Sequence, residues 1–401
     1  MNPRVLMIGW ELPPFNSGGL GEACLGLAKA LSKKGVKITF VLPQKVDINV
    51  DFMDVVFADI EDSLKMMLSS YVTYSEWAKQ FGTDGKNINP FDFLGGALEY
   101  AEKIGKIARR CNFDLVHSHD WLTFPAGIVA KKLSNKPFVT HVHQTEMDRT
   151  GGHNLNPIVY NIEKVGMEKA DKVISVSQFT KNILVNNYAI DPNKITVVHN
   201  GIEEISRKRL PPALAAMKKL NYKLVLFLGR ITLMKGPEYF VRAAKTVLEH
   251  RPKTIFVVVG SGDMQEQMMA EAGNLGIMDN FLFTGFLRGE EKNRIWQSAD
   301  LFVIPSVSEP FGITALESIA NGTPVLLSKQ SGVAEVLSHV LKVDFWDTDE
   351  MANKIISVLA YPSLKKVLKQ ESSKELPLIN WDKSADKCIG IYRSIQENHG
   401  F

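Results

Sequence analysis

Short apolar runs alternate with amphipathic stretches along most of the chain. The first apolar run, Arg4 to Gly9, is followed by a stretch from Leu20 to Lys34 whose apolar residues recur at helical spacing. Gly35 stands where that helix would end, and Val36 to Leu42 is a second apolar run. A strand, a helix and a strand in succession predict a βαβ unit and therefore a parallel sheet.

The alternation breaks once and then resumes. The segment from Glu203 to Tyr222 contains "SRKRLPP", has no clear period and is predicted to be a linker. Strand and helix patterns begin again at Lys223, so we predict two doubly wound α/β domains, residues 1–204 and 205–380, with a ligand in the cleft between them. Residues 50–96 show no clean period, and no role is assigned to them.

Composition and net charge exclude some classes of protein. The chain has 401 residues, 45% hydrophobic and 23% charged, and a net charge of +3, which is too weak to indicate binding to nucleic acid or an anionic membrane. Its three cysteines, Cys24, Cys111 and Cys388, have no metal or redox spacing and fit a reducing compartment. No apolar stretch approaches a signal peptide core or the roughly 20 residues of a membrane span, so we expect a cytoplasmic location.

Two glutamates lie in a strand, loop and helix pattern late in the chain, "DLFVIPSVSEPFGITALESIANGTP". Leu301 to Ile304 is the predicted strand, Glu309 lies in the loop, and Glu317 lies in the helix that Gly312 begins. A carboxylate on the apolar face of a helix needs a partner. The N-terminus of this helix favours an anionic ligand such as a phosphate.

Cations and glycines occupy two further loops after apolar strands. Arg230 and Lys235, in "FLGRITLMKG", follow the first strand of the second domain, at the strand end where ligands of open α/β sheets bind. Two cations there can hold a diphosphate and offset the charge that builds on it as a bond to it breaks. Gly18 and Gly19 precede the first helix, where glycines let a ligand approach the backbone closely.

Along the chain the glycine loop comes first, the cationic loop second and the two glutamates last. These three motifs in that order resemble the retaining GT-B glycosyltransferases, with the glycogen and starch synthases and related nucleotide-sugar glycosyltransferases as the nearest group. The resemblance implies two Rossmann-like domains facing each other across a cleft. It also implies a final helix, within residues 381–401, that packs back on the first domain. Asn16 stands where bacterial and plant synthases usually place a lysine, so the base of the donor nucleotide is left open.

The resemblance also assigns roles to residues. It implies that Glu309 contacts the donor sugar, that Glu317 contacts the nucleotide ribose, and that Arg230 and Lys235 clamp the diphosphate. The loop at Gly18 and Gly19 would close over the diphosphate and the sugar. The segment between the glutamates would bind the sugar and the phosphates through Phe311, Gly312, Ile313 and Thr314.

Histidines cluster in the first domain, in "HSHDW" at residues 117–121 and "HVH" at residues 141–143. Alternation places His141 and His143 on one face of a strand. Metal hydrolases use His-x-His-Asp spacing, so a metal-dependent hydrolase is a second class of function, with the cluster His117, His119, His141 and His143 as its site. The carboxylates that would complete such a site are not nearby in sequence.

The same segments also carry the resemblance. "HSHDW" is similar to a segment near the acceptor in glycogen and starch synthases, which implicates Asp120 and Trp121. His143 matches the sugar-contacting histidine of the family, and His141 is expected to be a core residue. Asp347 is among the residues expected to cap a helix, so no metal is assigned to "WDTDE".

The sequence therefore predicts a retaining hexosyltransferase that moves a sugar, expected to be glucose, from a nucleotide-diphosphate sugar to an α-glucan. The predicted catalytic residues are Glu309, His143, Arg230 and Lys235. No cofactor or metal is expected, and the partners are the nucleotide sugar and a carbohydrate acceptor. A transferase for a lipid or small-molecule acceptor and a GT-B sugar epimerase remain open alternatives.

Overall fold

The computed structural model describes residues 2–16, 18–60, 90–203, 218–287 and 289–398. Most of the predicted linker and of the aperiodic segment lies outside these residues. The described residues form two compact units. Unit 1 comprises residues 2–147, 152–201 and 380–398 with the gaps given above, and unit 2 comprises residues 148–151 and 202–379.

Unit 1 is built on a parallel sheet of seven strands. In chain order its strands are β1 (Arg4–Ile8), β2 (Lys37–Leu42), β3 (Asp54–Phe57), β4 (Leu115–His119), β5 (Phe138–Val142), β6 (Lys172–Ser175) and β7 (Ile195–Val197). Its helices are α1 (Gly19–Lys33), α2 (Pro90–Ala108), α3 (Phe124–Ser134), α5 (Pro157–Lys169) and α6 (Gln178–Tyr188), and the short α4 (Glu146–Thr150) is divided, with residues 148–150 assigned to unit 2. The strands β4 and β5 are buried along their full length, as expected where helices cover both faces of a parallel sheet.

Unit 2 is built on a parallel sheet of six strands. They are β8 (Lys223–Leu228), β9 (Thr254–Val259), β10 (Phe281–Gly285), β11 (Leu301–Ile304), β12 (Val325–Ser328) and β13 (Leu341–Val343). The helices that follow are α7 (Pro237–His250), α8 (Gln265–Asn274), α9 (Gly289–Ser298), α10 (Ile313–Ala320), α11 (Thr348–Ala360) and α12 (Pro362–Glu375). Its core joins apolar residues of β8, β9 and β11 to the buried faces of α7 and α11.

Both sheets follow the same strand order, and the sheet of unit 1 has a seventh strand at its end. In unit 1 the order is β3-β2-β1-β4-β5-β6-β7, and in unit 2 it is β10-β9-β8-β11-β12-β13. Each sheet therefore reverses its direction of growth beside its first strand, between β1 and β4 and between β8 and β11. Ligands of doubly wound folds bind beyond the carboxyl ends of the strands at this switch point. The topology thus points to the loops after these four strands.

A last helix, α13 (Trp381–Asn398), belongs to unit 1 and packs on α1. Two glycines make room for its first residue. A Cβ atom at Gly26 would lie 2.4 Å from the Trp381 ring, and one at Gly201 would lie 2.2 Å from the Trp381 backbone nitrogen. Any side chain at either glycine would therefore displace the start of α13.

The structure adds to the predicted elements at the edges of both sheets. The strands β3 and β13 were not predicted from the sequence, and α2 begins at Pro90 rather than at residue 97. Two consecutive glycines, Gly95 and Gly96, hid the start of α2, since glycine lowers helix propensity. Among the helices of the described ranges, none is both long enough and apolar enough to span a bilayer.

Candidate active site

At the switch point of unit 2, the loops after β8 and β11 approach each other so closely that no Cβ atom would fit at Gly236. Gly236 has φ 62°, and a Cβ atom there would lie 2.2 Å from the Pro305 carbonyl oxygen. The backbone N–H of Val307 donates to the Met234 carbonyl at 2.9 Å. The loop after β8 and the loop after β11 are therefore bonded to each other, and each carries a predicted site residue.

The glycines of "VVVGSGDMQ", after β9, serve this same packing. A Cβ atom at Gly260 would lie 1.9 Å from the Gly229 carbonyl oxygen, and one at Gly262 would lie 2.3 Å from the Ile231 carbonyl oxygen. Ile231 N–H also donates to the Ser261 carbonyl at 2.9 Å. These glycines therefore hold the loop that carries Arg230.

Lys235 and Glu309 form an ion pair across the two loops. Lys235 Nζ lies 2.6 Å from Glu309 Oε2, and the side chains are 18% and 8% exposed. The Ser306 hydroxyl donates to the same carboxylate oxygen at 3.2 Å. Arg230 is half-buried on the β8 loop, and its Nη2 lies 3.9 Å from the Met234 sulfur. The structure thus brings Lys235 and Glu309 into direct contact and places Arg230 on the same loop as Lys235.

The backbone of Glu309 is fixed as firmly as its side chain. Its N–H donates to the Gln330 carbonyl at 2.9 Å, and its carbonyl accepts from Gly332 N–H at 2.9 Å, which forms an isolated parallel bridge with Ser331. The Phe311 carbonyl accepts from Val333 N–H at 2.7 Å. The loop of Glu309 is therefore anchored to the segment after β12.

Gly312 turns the chain from this loop into α10. Its φ of 99° is one that residues with a Cβ atom rarely adopt, and a Cβ atom there would lie 3.1 Å from Glu309 Cγ. Phe311 is buried, whereas Ile313 and Thr314, in the first turn of α10, are half-buried. This turn presents backbone N–H groups and the positive end of a helix dipole at the switch point.

Glu317 lies one turn further along α10 and has a cationic partner that the sequence did not indicate. Lys292 Nζ, from α9, lies 2.7 Å from Glu317 Oε1. The other carboxylate oxygen, Oε2, is buried and accepts no hydrogen bond within the described part of the chain. Such an oxygen is suited to accept a ligand hydroxyl, because buried polar atoms are otherwise nearly always bonded.

At the switch point of unit 1, four histidines form one buried cluster. His117 and His119 lie on β4 and His141 on β5, with His119 and His141 opposite each other in the strand register, and His143 directly follows β5. The His117 and His119 rings stack at a centroid distance of 4.4 Å, and those of His141 and His143 at 4.2 Å. His117, His119 and His141 are at most 1% exposed, and His143 is 9% exposed.

These imidazoles are neutral at physiological pH. Burial lowers the pKa of His117 and of His143 to about 3, and it also lowers the pKa of His119 and of His141 well below the ordinary value. Two hydrogen bonds hold the cluster: His119 Nδ1 lies 2.9 Å from His143 Nε2, and His117 Nδ1 lies 2.7 Å from Tyr392 Oη of α13.

Asp120 holds the backbone on which His143 sits. Its carboxylate accepts from the backbone N–H of His143 at 2.6 Å and from that of Gln144 at 3.3 Å, and its own φ is 59°. Trp121 is buried and begins a 3₁₀ turn. These two hydrogen bonds of Asp120 lie within its own unit, and the acceptor-side roles of Asp120 and Trp121 stay a prediction.

The glycine loop of unit 1 meets a carboxylate of the same unit. Gly18 caps α1 in an extended conformation and Gly19 is its first residue, with open space where a Cβ atom would stand. Gly21 N–H donates to Glu11 Oε1 at 3.3 Å, and Asn16 Nδ2 donates to the Gly18 carbonyl at 2.9 Å. Glu11 therefore already contacts the start of α1, where the sequence placed an anionic ligand.

Two groups of side chains in unit 1 have donor atoms within 4.8 Å of one another, as metal ligands would. One is His117, His119 and His141, and the other is Cys24, His119 and His143. The His117 ring is tilted by only 6° from that of His141 and by 27° from that of His119, so these rings lie face to face.

In unit 2, Asp347 caps α11 by accepting from Glu350 N–H at 3.0 Å, as predicted.

Comparison with known proteins identifies the class. Residues 17–204 match the family profile Glycosyltransferase Family 4, and residues 214–375 match Glycosyl transferases group 1. A sucrose-phosphate synthase structure from Thermosynechococcus elongatus aligns with a TM-score of 0.77 at 20% identity, over 98% of this chain and 99% of that one. With two parallel α/β sheets, the chain belongs to the GT-B glycosyltransferases, as the sequence predicted.

Particular relatives differ in what their names say they act on. An uncharacterized glycosyltransferase of Methanocaldococcus jannaschii is 28% identical over 99% of this chain and 100% of its own length. A D-inositol 3-phosphate glycosyltransferase of Segniliparus rotundus is 30% identical over 75% of this chain and 70% of its own. A glycogen synthase of Mycobacterium tuberculosis is 27% identical over 83% of this chain and 80% of its own. The chain is thus a glycosyltransferase of nucleotide sugars whose acceptor these relatives leave open.

Proposed function

We propose that this chain is a retaining hexosyltransferase that transfers glucose from a nucleotide-diphosphate sugar to an α-glucan. The observation that carries the proposal is the Lys235–Glu309 ion pair at the switch point of unit 2, beside the N-terminus of α10. An ammonium and a helix N-terminus suit the diphosphate of such a donor, and a carboxylate suits the hydroxyl groups of its sugar.

In this proposal the donor is bound along the loop between β11 and α10. Lys235 and Arg230 bind the diphosphate, and the backbone from Phe311 to Thr314 binds the phosphates and the sugar. Glu309 accepts hydrogen bonds from sugar hydroxyls. The unpartnered Oε2 of Glu317 accepts from a ribose hydroxyl while Lys292 holds the other oxygen.

In unit 1, His143 contacts a hydroxyl of the transferred sugar, and the loop at Gly18 and Gly19 closes over the donor. A neutral imidazole suits this role because it can donate a hydrogen bond without adding charge. Asp120 and Trp121 are proposed to lie toward the acceptor, with Asp120 acting through the backbone it holds.

The reaction proceeds on one face of the sugar. The bond from the anomeric carbon to the diphosphate oxygen breaks, the acceptor oxygen forms the new bond on the same face, and the acceptor proton moves to the departing diphosphate oxygen. Lys235 and Arg230 stabilise the charge that develops on that oxygen. No side chain is assigned the role of a general base, and the cations and the helix N-terminus handle the diphosphate without a metal.

Two experiments test this function. A panel of ADP-, UDP- and GDP-sugars should raise the melting temperature of the chain, with one base giving the largest rise. With that donor, NMR of the first product should show an α-linkage from an α-linked donor. A β-linked product would contradict the mechanism and the role of Glu309.

One relative favours a second candidate, a transferase with a small phosphorylated acceptor, because the inositol phosphate glycosyltransferase is 30% identical to this chain. Nucleotide release with α-glucan, with inositol 3-phosphate and with no acceptor separates the candidates. Release without any acceptor would instead indicate a sugar epimerase.

A further inference from the structure

The hydrogen bond between His119 and His143 leaves one ring nitrogen of each residue without a partner. Nδ1 of His119 and Nε2 of His143 share the bond, while His119 Nε2 and His143 Nδ1 are buried and bond to nothing among the described residues. Both rings are neutral, so each carries a single N–H. The shared bond uses one of these two N–H groups, and the other N–H is left unpaired.

Two arrangements are possible, and they differ in which residue keeps the unpaired N–H. If His143 donates, the unpaired N–H is Nε2–H of His119, which is 0% exposed. If His119 donates, the unpaired N–H is Nδ1–H of His143, a residue that is 9% exposed although Nδ1 itself is buried. Each arrangement leaves one N–H and one lone pair unpaired, and an unpaired buried N–H is costly. That cost is smaller on the less deeply buried residue, so the arrangement that leaves the N–H on His143 is favoured.

Asp120 fixes the same histidine from the other side. Its carboxylate accepts from His143 N–H at 2.6 Å, so the backbone of His143 is held by the residue that follows His119. His141 stacks on the His143 ring at 4.2 Å. His143 is therefore held at its backbone, its ring face and Nε2, which leaves Nδ1 as the ring nitrogen without a hydrogen-bond partner among the described residues.

We infer that His119 is a positioning residue that donates Nδ1–H to His143 and thereby holds His143 in the tautomer with its proton on Nδ1. His143 then offers an N–H donor, not a lone pair, to the ligand. The identity of the ligand rests on the proposed function: the ligand atom is a sugar oxygen, which accepts the hydrogen bond from His143 Nδ1–H during transfer.

The chain offers a matched control for His119. His117 lies two residues away on the same face of β4, is equally buried, and shares its bond with Tyr392 instead of His143. His119→Leu removes the donor to His143. His119→Asn keeps an N–H donor near the position of Nδ1, and His117→Leu removes a buried imidazole without touching the bond to His143.

The test reads the tautomer directly. In protein labelled with ¹⁵N-histidine, ring ¹⁵N–¹H correlations, assigned by the signal lost in His143→Gln, should show His143 protonated on Nδ1. His119→Leu should shift His143 toward protonation on Nε2, whereas His119→Asn and His117→Leu should leave its tautomer unchanged. Protonation of His143 on Nε2 in the unmodified protein, or no change in His119→Leu, would overturn the inference. A transition metal retained in equal molar amount would overturn it as well.

Activity provides a second readout. His119→Leu should lower kcat by about ten- to hundred-fold with a smaller change in donor KM, and His119→Asn should restore most of the loss. An equal loss of kcat in His117→Leu would mean that the cluster acts only through stability. If the tautomer results hold but no sugar is transferred to any acceptor, the proposed function fails and the role of His119 stands.

Discussion

The two switch points of this protein carry opposite kinds of polar chemistry. In unit 2 the groups are charged and paired, Lys235 with Glu309 and Lys292 with Glu317, and they keep some exposure to solvent. In unit 1 they are imidazoles that burial keeps neutral, stacked on one another and hydrogen-bonded to neutral partners in His119–His143 and His117–Tyr392. The same strand order therefore supports an ionic site in one unit and an uncharged site in the other.

The difference shows what each site is suited to do. Preorganised charges stabilise charge that develops on a ligand, which is the largest requirement when a diphosphate leaves. Neutral donors and acceptors orient hydroxyl groups without attracting competing ions. Removing a charge in unit 2 should therefore affect the rate most, whereas adding a charge in unit 1 should affect stability most.

The largest effect is expected from acid in unit 1. Because folding lowers the histidine pKa values, the unfolded chain binds more protons between pH 6.5 and about 3, and stability should fall as the pH falls through this window. Each histidine contributes up to about 1.4 kcal/mol per pH unit, so the four together contribute a slope of up to about 6 kcal/mol per pH unit. Denaturant unfolding at several pH values measures the slope.

His141→Leu is the control, because neither ring nitrogen of His141 has a hydrogen-bond partner within the described ranges. This variant should match or exceed the stability of the unmodified protein at pH 7 and should lose less of it in acid. An unchanged acid slope would show that the cluster does not titrate with unfolding.

The next effect is on turnover in unit 2. Lys235→Ala should reduce kcat by at least about a hundred-fold, or about 3 kcal/mol, because in the proposed mechanism it removes a charge that faces the leaving group. It should also destabilise the fold, since Glu309 is 8% exposed and loses its ion pair. Adding Glu309→Gln should recover stability but not activity. Steady-state kinetics and thermal unfolding measure the two effects.

Lys329 provides the comparison for Lys235, since it pairs with Asp344 at 2.7 Å in the same unit but is 57% exposed. Lys329→Ala should change stability by less than about 1 kcal/mol and leave kcat unaffected. Near-full activity in Lys235→Ala would refute the proposed diphosphate contact.

A smaller effect is expected at Glu317. Glu317→Gln weakens the acceptor proposed for the ribose, so donor KM should rise about ten-fold with little change in kcat. Isothermal titration with the nucleoside diphosphate alone should show the same loss. Glu371→Gln, which alters an exposed ion pair with Lys374, should change neither value. A fall in kcat without a change in binding would place Glu317 at the sugar instead.

The smallest effect is expected from a chelator. Treatment with a chelator should leave the transfer rate nearly unchanged, because Arg230, Lys235 and the start of α10 handle the diphosphate in the proposed mechanism. Activity that is lost and then returns with Zn²⁺ or Mg²⁺ would overturn this. It would bring the metal-dependent hydrolase, or a metal-dependent transferase, back into consideration.

Local features of the site could be predicted from the sequence. The strand, loop and helix around Glu309 and Glu317 are encoded within a few residues of each other, by an apolar run, Pro305 and Gly312, and the structure has them where expected. The GT-B fold was likewise predicted and is confirmed, because the alternation of strands and helices extends over both units.

Contacts between distant segments could not be predicted. Lys292 lies on a different helix from its partner Glu317, and Glu11 accepts from Gly21 N–H from the preceding loop. The periodicity of the sequence predicts neither contact. Alternation placed His141 and His143 on one face of β5, but the stacking on His117 and His119 depends on the register of β4 against β5. The edge strands β3 and β13 are three or four residues long, too short for a strand pattern to stand out.

The return of α13 to unit 1 has a consequence for synthesis of the protein. Unit 2 is an insertion in unit 1, because every residue of its six-stranded sheet lies between β7 and α13. During translation, the surface of α1 at Gly26 stays uncovered until all of unit 2 has been synthesised and Trp381 has emerged from the ribosome. The later-translated unit thus has its complete set of elements first, which reverses the usual order in which domains fold during translation.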